Sequence, residues 1–194
     1  MKILTKWLRA LLPELAVDDA HLAEDLTLRG IAVEGVFDLG AANGSLFEMD
    51  ITTNRVDAMN HFGVAREAAA VYGLALKPLE FALPESRPAS AFPVAIEAGD
   101  ACGRFTARVL RDIRITTGAA GPLSQEMAGY FKLLEQKQIL NAVDASNFAW
   151  LAMGQPTHAL TWTRSMGGLW CGGRGRASGS RRWMVWSANL IPKT

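Results

Sequence analysis

The side chains able to do chemistry in this sequence are few, and they cluster in two places. "TNRVD" at 53–57 followed by "GVARE" at 63–67 sets Asn54, Arg55, Asp57, Arg66 and Glu67 around the start of a helix. Asn and Asp there make turns and caps, and Arg66 with Glu67 makes a solvated helix face, so the pattern reads as structural. "GQPTHA" at 154–159 carries His158 just after a proline, and such a histidine on its own is a loop or packing residue. His21 and His61 carry no assignable chemistry. Cys102 and Cys171 are isolated, which excludes a disulfide framework or zinc-ligand spacing. P-loop, nucleophile-elbow and H-E-x-x-H patterns are all absent. The glycines of "CGGRGRASG" lack the preceding strand and the spacing of a dinucleotide fingerprint.

The elements that must position these residues follow from periodicity. Asp18 and Asp19 predict a cap for a helix through "AHLAEDLTLRG", with Leu22 and Leu26 one turn apart and Gly30 just past its end. "IAVEGVFDL" and "SLFEMDIT" read as strands joined by the turn "GAANGS", the second placing Phe47, Met49 and Ile51 opposite Leu46, Glu48 and Asp50. Asp57 then predicts a cap for a helix over "AMNHFGVAREAAAVYG", stopped by Gly73. Four prolines, Pro78, Pro84, Pro88 and Pro93, make 81–93 the best linker. Beyond it, "FPVAIEAGD" and "GRFTARVLRDIRIT" alternate like strands. "PLSQEMAGYFKLLEQ" predicts a helix begun by proline and burying Met127, Tyr130 or Phe131, and Leu134. "DASNFAWLAMG" predicts another, capped by Asp144 and closed by Gly154. This order predicts an α+β chain of two small mixed domains, 1–80 and 94–160.

Charge divides the chain differently. Residues 1–160 hold 14 basic against 19 acidic side chains, net −5, whereas 161–194 hold six basic and none acidic, net +6. A basic-patch reading therefore rests on that tail alone. No stretch approaches the roughly 20 apolar residues needed to span a bilayer, and "MKILTKWLRALLPELA" is broken by Arg9, Pro13 and Glu14, unlike a secretory leader. A reducing, cytoplasmic setting without membrane partners is the expectation.

Five stretches in order, "MKI…WL", "LAEDLTLRGIAVEGV", "EMDITTNRVDAMNHFGVAREAAAVYGL", "CGRFTARVL" and "NAVDASNFAWLAMGQPTHAL", resemble the N-terminal part of the bacterial phenylalanyl-tRNA synthetase beta subunit. The likeness spans about residues 1–160. Where many members of that family insert an oligonucleotide-binding-type barrel, "DLGAANGSLF" joins the strands directly, so this chain is similar to the form without it. The resemblance implies a B1-like domain over 1–80 and the incomplete start of a B3/B4-type editing domain over 94–160. It also implies a cytoplasmic assembly of two alpha and two beta subunits that joins phenylalanine to its tRNA with ATP and magnesium. No cofactor is expected in this segment, because the family's synthetic site lies on the alpha subunit. A phenylalanine pocket rejects an added hydroxyl only about 10²-fold, by analogy with valine and threonine, so the family hydrolyses tyrosyl-tRNA at a second site on the beta subunit. The family's histidine there maps to His158 and its arginine to Lys137, where lysine lacks the planar fork. The acidic residue that reads the tyrosine hydroxyl belongs to later family sequence, so the fragment is expected to be inactive alone.

After "GQPTHA" the resemblance stops. If the reading frame slips by one base near Leu160, each hidden codon takes one base from one residue and two from the next. Trp162-Thr163 then hides an aspartate codon, Trp170-Cys171 valine, and Trp183-Met184-Val185 Asp-Gly, all forced by the code. The free bases allow Asp-Leu-Asp-Lys and Val-Val-Arg-Arg-Ala, as the family reads. Residues 161–194 are thus expected to be an out-of-frame or disordered tail, leaving strands after Thr106 without partners. The alternatives are an RNA-binding tail, in which Arg and Trp contact phosphates and bases, or a subunit-docking module.

Overall fold

The computed structural model describes residues 1–80, 94–96, 102–110, 113–118, 122–161, 169–171 and 183–190. The expected linker at 81–93 lies outside them, as do 162–168, 172–182 and 191–194 of the tail. The described elements run β1 (Lys2–Leu4), α1 (Thr5–Leu11), α2 (Asp19–Leu28), β2 (Ala32–Asp38), β3 (Ser45–Asp50), a 3-10 turn (Thr53–Ala58) and α3 (His61–Tyr72). After the linker come β4 (Val94–Ile96), β5 (Cys102–Leu110), α4 (Pro122–Leu133), α5 (Asn141–Met153), β6 (His158–Thr161), β7 (Leu169–Cys171) and β8 (Trp183–Leu190). The chain is α+β, as its alternation of helical and two-residue periods predicts.

The first sheet is antiparallel with β3 at its centre, in the order β1-β3-β2. Side chains alternate across a strand, so β1 and β3 feed two different cores. Ile3, Phe47 and Met49 pack with Leu8, Leu22, Leu26, Val64 and Ala65 from α1, α2 and α3. Leu4 and Leu46 point the other way, to Trp7, Tyr130, Phe131, Leu134 and Leu151. The second core therefore joins residues from both sides of the linker. Burying each of these large side chains contributes about 1.5–3 kcal/mol, which explains why α4 and α5 stay on the sheet.

Helix ends follow local chemistry, with two corrections. Asp18 caps α2 through the His21 N–H at 3.0 Å, and Gly30 follows in the left-handed region. Asp57 does not cap α3: it lies in the 3-10 turn, and Asn60 is the cap, accepting from the Gly63 N–H at 2.7 Å. The turn takes Asp57 too far upstream to reach the helix. Asp144 does not cap α5 either, because the helix begins at Asn141. Buried in the first turn, its carboxylate accepts from the Ile139 N–H at 2.9 Å and so pins the chain entering the helix. Gly154 ends α5 with φ of 72°.

A further expectation fails at β5. Its whole length pairs antiparallel with β8, from Cys102 opposite Leu190 to Leu110 opposite Trp183, and β6 pairs with the other edge of β8. Strands after Thr106 thus have a partner, drawn from the tail. β7, also in the tail, pairs parallel with β4. Trp183, Val185 and Trp186 are of the aromatic and β-branched types that favour a pleated backbone, which is reason enough for residues 183–186 to form strand.

Candidate functional site

The first motif folds into a closed lattice of charge. Arg55 places Nε and Nη2 each 3.1 Å from the two oxygens of Asp57, and reaches Glu67 at 2.7 Å. Arg66 pairs with Asp57 and approaches Glu67 at 3.6 Å. The hydrogen bond from Arg55 is the main reason the Asp57 carboxyl lies below its ordinary range. Two cations facing two carboxylates leave no net charge for a ligand. Beneath the lattice, α3 sits so close to the 3-10 turn that a Cβ on Gly63 would lie 2.0 Å from the Asp57 carbonyl oxygen. That contact is the physical reason for glycine in "GVARE". Asn54 is exposed in the same turn.

His61 is the residue that sequence reasoning missed. It is fully buried, accepts the Leu4 N–H at Nε2 (3.1 Å) and approaches the Leu151 carbonyl with Nδ1 at 2.9 Å. An Nε2 that accepts cannot carry a proton, so the hydrogen resides on Nδ1 and is donated to Leu151. Burial pushes its pKa down to about 4, against the smaller opposing effect of the Leu151 carbonyl. Its ring stacks on Trp7 at 4.1 Å, and Trp7 stacks in turn on Tyr130 and Phe148 at 4.5 and 4.8 Å. A signal was present: His61, Val64, Ala65 and Ala68 follow the 3, 4, 7 spacing of a buried helical stripe. His21, by contrast, is exposed and hydrogen-bonded to Asp18, which raises its pKa.

The second motif forms a cleft of about 300 Å³ between α5 and the segment leading into β6. Ser146, Asn147 and Trp150 wall it from the helix, and Pro156, Thr157 and His158 from the other side. The Ser146 hydroxyl holds the two walls together, 2.7 Å from the Thr157 carbonyl oxygen and 2.6 Å from its hydroxyl. Trp150 is 46% exposed, so one part of its ring faces solvent. The described wall offers hydroxyls, an amide, an imidazole and an indole. His158 is exposed at the start of β6, opposite Trp186 in the strand register. Lys137 lies exposed in the segment between α4 and α5 and is not part of the cleft wall. The structure thus places His158 at the cleft and Lys137 outside it. Among the described residues no group of three His, Cys, Asp or Glu side chains could hold a metal ion, and no helix is long and apolar enough to cross a membrane.

Sequence comparison relates the chain to a subunit of an aminoacyl-tRNA ligase. The chain is 35% identical over 160 residues to the phenylalanine--tRNA ligase beta subunit of Bordetella parapertussis, covering 80% of this chain and 19% of that protein. The same subunit of Anaeromyxobacter dehalogenans is 37% identical over 117 residues, with 59% and 14% covered, and that of Burkholderia lata 32% over 125 residues, with 64% and 15% covered. No family model matches. The chain is therefore related to part of a phenylalanine--tRNA ligase beta subunit and spans less than a fifth of the length of these relatives.

Proposed function

We propose that this chain supplies the N-terminal scaffold of a cytoplasmic phenylalanine--tRNA ligase beta subunit, with residues 1–80 forming one unit and 94–160 the start of the editing unit. The observation that carries the reading is that its two long motifs meet: Asn60 and His61 of the first contact Gly154 and Leu151 of the second. In the assembled ligase, of two alpha and two beta subunits, the alpha subunit would hold the ATP and magnesium used to charge tRNA with phenylalanine. His158 would help hold the ester or its attacking water at the cleft.

Co-expression with a bacterial alpha subunit tests the scaffold reading, with co-purification as the expected result and failure to associate as the result that sinks it. Tyrosyl-tRNA should be released no faster with the chain than without it. Release that is lost in His158→Ala would instead show a working editing site. Residues 161–194 we read as an out-of-frame translation. Resequencing across the codons for Pro156 to Trp170 should find one base gained or lost. An unchanged frame would make the tail encoded protein, and a salt-dependent RNA affinity lost on its deletion would then favour an RNA-binding role.

A further inference from the structure

We propose that His61 is a positioning residue that locks α5, and with it the cleft at His158, to the N-terminal sheet; the functional consequence rests on that cleft being the working site. The last four carbonyls of a helix have no partner within the helix. On α5 the Trp150 carbonyl is met by the Gly154 N–H, whereas the Leu151 carbonyl is met from outside, by His61. The same imidazole accepts the N–H of Leu4, a residue paired with Leu46 in the sheet. One side chain therefore ties the C-terminal turn of α5 to β1. Leu4, His61 and Leu151 are all buried, so water is poorly placed to replace either bond.

Two other contacts fix the same helix. Phe148 packs on Trp7, the ring that also covers His61. At the end of α5, a Cβ on Gly154 would lie 2.5 Å from Nδ2 of Asn60, the cap of α3, so the two helix ends are pressed together. Phe148 and Leu151 lie on the stripe packed into the second core, and Asn147 and Trp150 on the neighbouring stripe that faces the cleft. A helix moves as a rod, so displacement at Leu151 carries Asn147 and Trp150 with it, while Ser146 would lose its hold on Thr157.

The full-length chain tests this by the tautomer and by local exchange. Ring nitrogen NMR of His61 at neutral pH should show the Nδ1–H form; the Nε2–H form would overturn the proposal. In His61→Leu, amide exchange at Asn147 and Trp150 should accelerate at least tenfold, while Leu22 and Leu26 in α2 keep their protection. His61→Gln, which keeps one of the two bonds, should fall between. Unchanged exchange in α5, or an equal loss in α2 and α5, would show that His61 stabilises the fold without positioning the cleft. Should His61→Leu fail to fold, the tautomer and His61→Gln decide the matter. None of these readouts depends on tRNA, so the latch can fail while the scaffold reading stands, and the reverse.

Discussion

Acidification should destabilise this protein before its carboxylates protonate, through His61. Its pKa is about 4 in the folded chain and 6.5 for an ordinary histidine. Above pH 6.5 the ring is neutral in both states. Between 6.5 and 4 the unfolded chain binds a proton that the folded chain refuses, so stability falls as pH falls. A displacement of about 2.5 units at 1.36 kcal/mol each amounts to about 3 kcal/mol across that window. Asp18, Asp19, Asp25 and Asp57 have lowered values and lose their contributions mainly as pH falls below their ordinary range near 3.8, and Glu135 as it falls below 4.5, at the acid end of the window or beyond it. His21 acts in the opposite sense: its raised pKa, from the hydrogen bond to Asp18, gives a contribution present below 6.5 and lost as pH rises.

A comparison with His61→Gln isolates the effect, since His21 is common to both chains. At pH 7.5 the variant should be less stable by about 1–3 kcal/mol, the cost of leaving a buried polar group without its partner. At pH 4.5 that difference should shrink by about 2–3 kcal/mol, because only the wild type has a buried ring that resists protonation. Urea unfolding followed by tryptophan fluorescence at pH 7.5, 6.0 and 4.5 measures both quantities. Parallel pH dependence in the two proteins would refute the reasoning, as would a wild type that gains stability relative to the variant on acidification.

The remaining contacts predict distinct effects. Gly63→Ala forces a Cβ to 2.0 Å from a backbone oxygen and should cost about 3 kcal/mol or more, seen as a large fall in melting temperature. Gly154→Ala combines a left-handed φ of 72° with a clash against Asn60 and should cost roughly 2 kcal/mol. Asn60→Ala loses a helix cap worth about 1 kcal/mol, yet it relieves that clash, so the double variant should fall short of additivity by about 0.5 kcal/mol or more. Ser146→Ala removes the link to Thr157 and should cost about 1 kcal/mol, with faster amide exchange at Thr157 and Ala159.

How much of this was legible varies with the range of the interaction. Local patterns carried the helix through Leu22 and Leu26, the proline start of α4 and the glycine ends of α2, α3 and α5, because caps and stripes are properties of neighbouring residues. The two displaced caps, Asp57 and Asp144, show the limit: each lies within a few residues of a helix start, and a shift of three or four residues in that start gives the cap position to Asn60 in one helix and to Leu140, without a side-chain bond, in the other. Leu46 was assigned to the face opposite Phe47, correctly, but its burial depends on α4 and α5, which approach from the far side of the linker. His158 was singled out through motif likeness alone. His61 escaped notice because its partners, Leu4 and Leu151, are backbone groups 57 and 90 residues away.

The two cores also predict what deletion of the tail will do. The two cores described above are built from residues between Ile3 and Leu151, all within the stretch that resembles the ligase relatives. β8 meets β5 and β6 through backbone pairing, which any strand-forming run can supply whatever frame encoded it. A chain ending at Thr161 should therefore keep its urea midpoint and the near-ultraviolet dichroism of the stacked Trp7, Tyr130 and Phe148 rings. Its lost protection should be confined to the amides of β4, β5 and β6, which lose β7 and β8 as partners and whose exposed edges would raise its tendency to aggregate. Collapse of the ring signal would mean that residues 162–194 hold α4 and α5 in place, making the tail a selected part of the fold rather than a strand formed by composition.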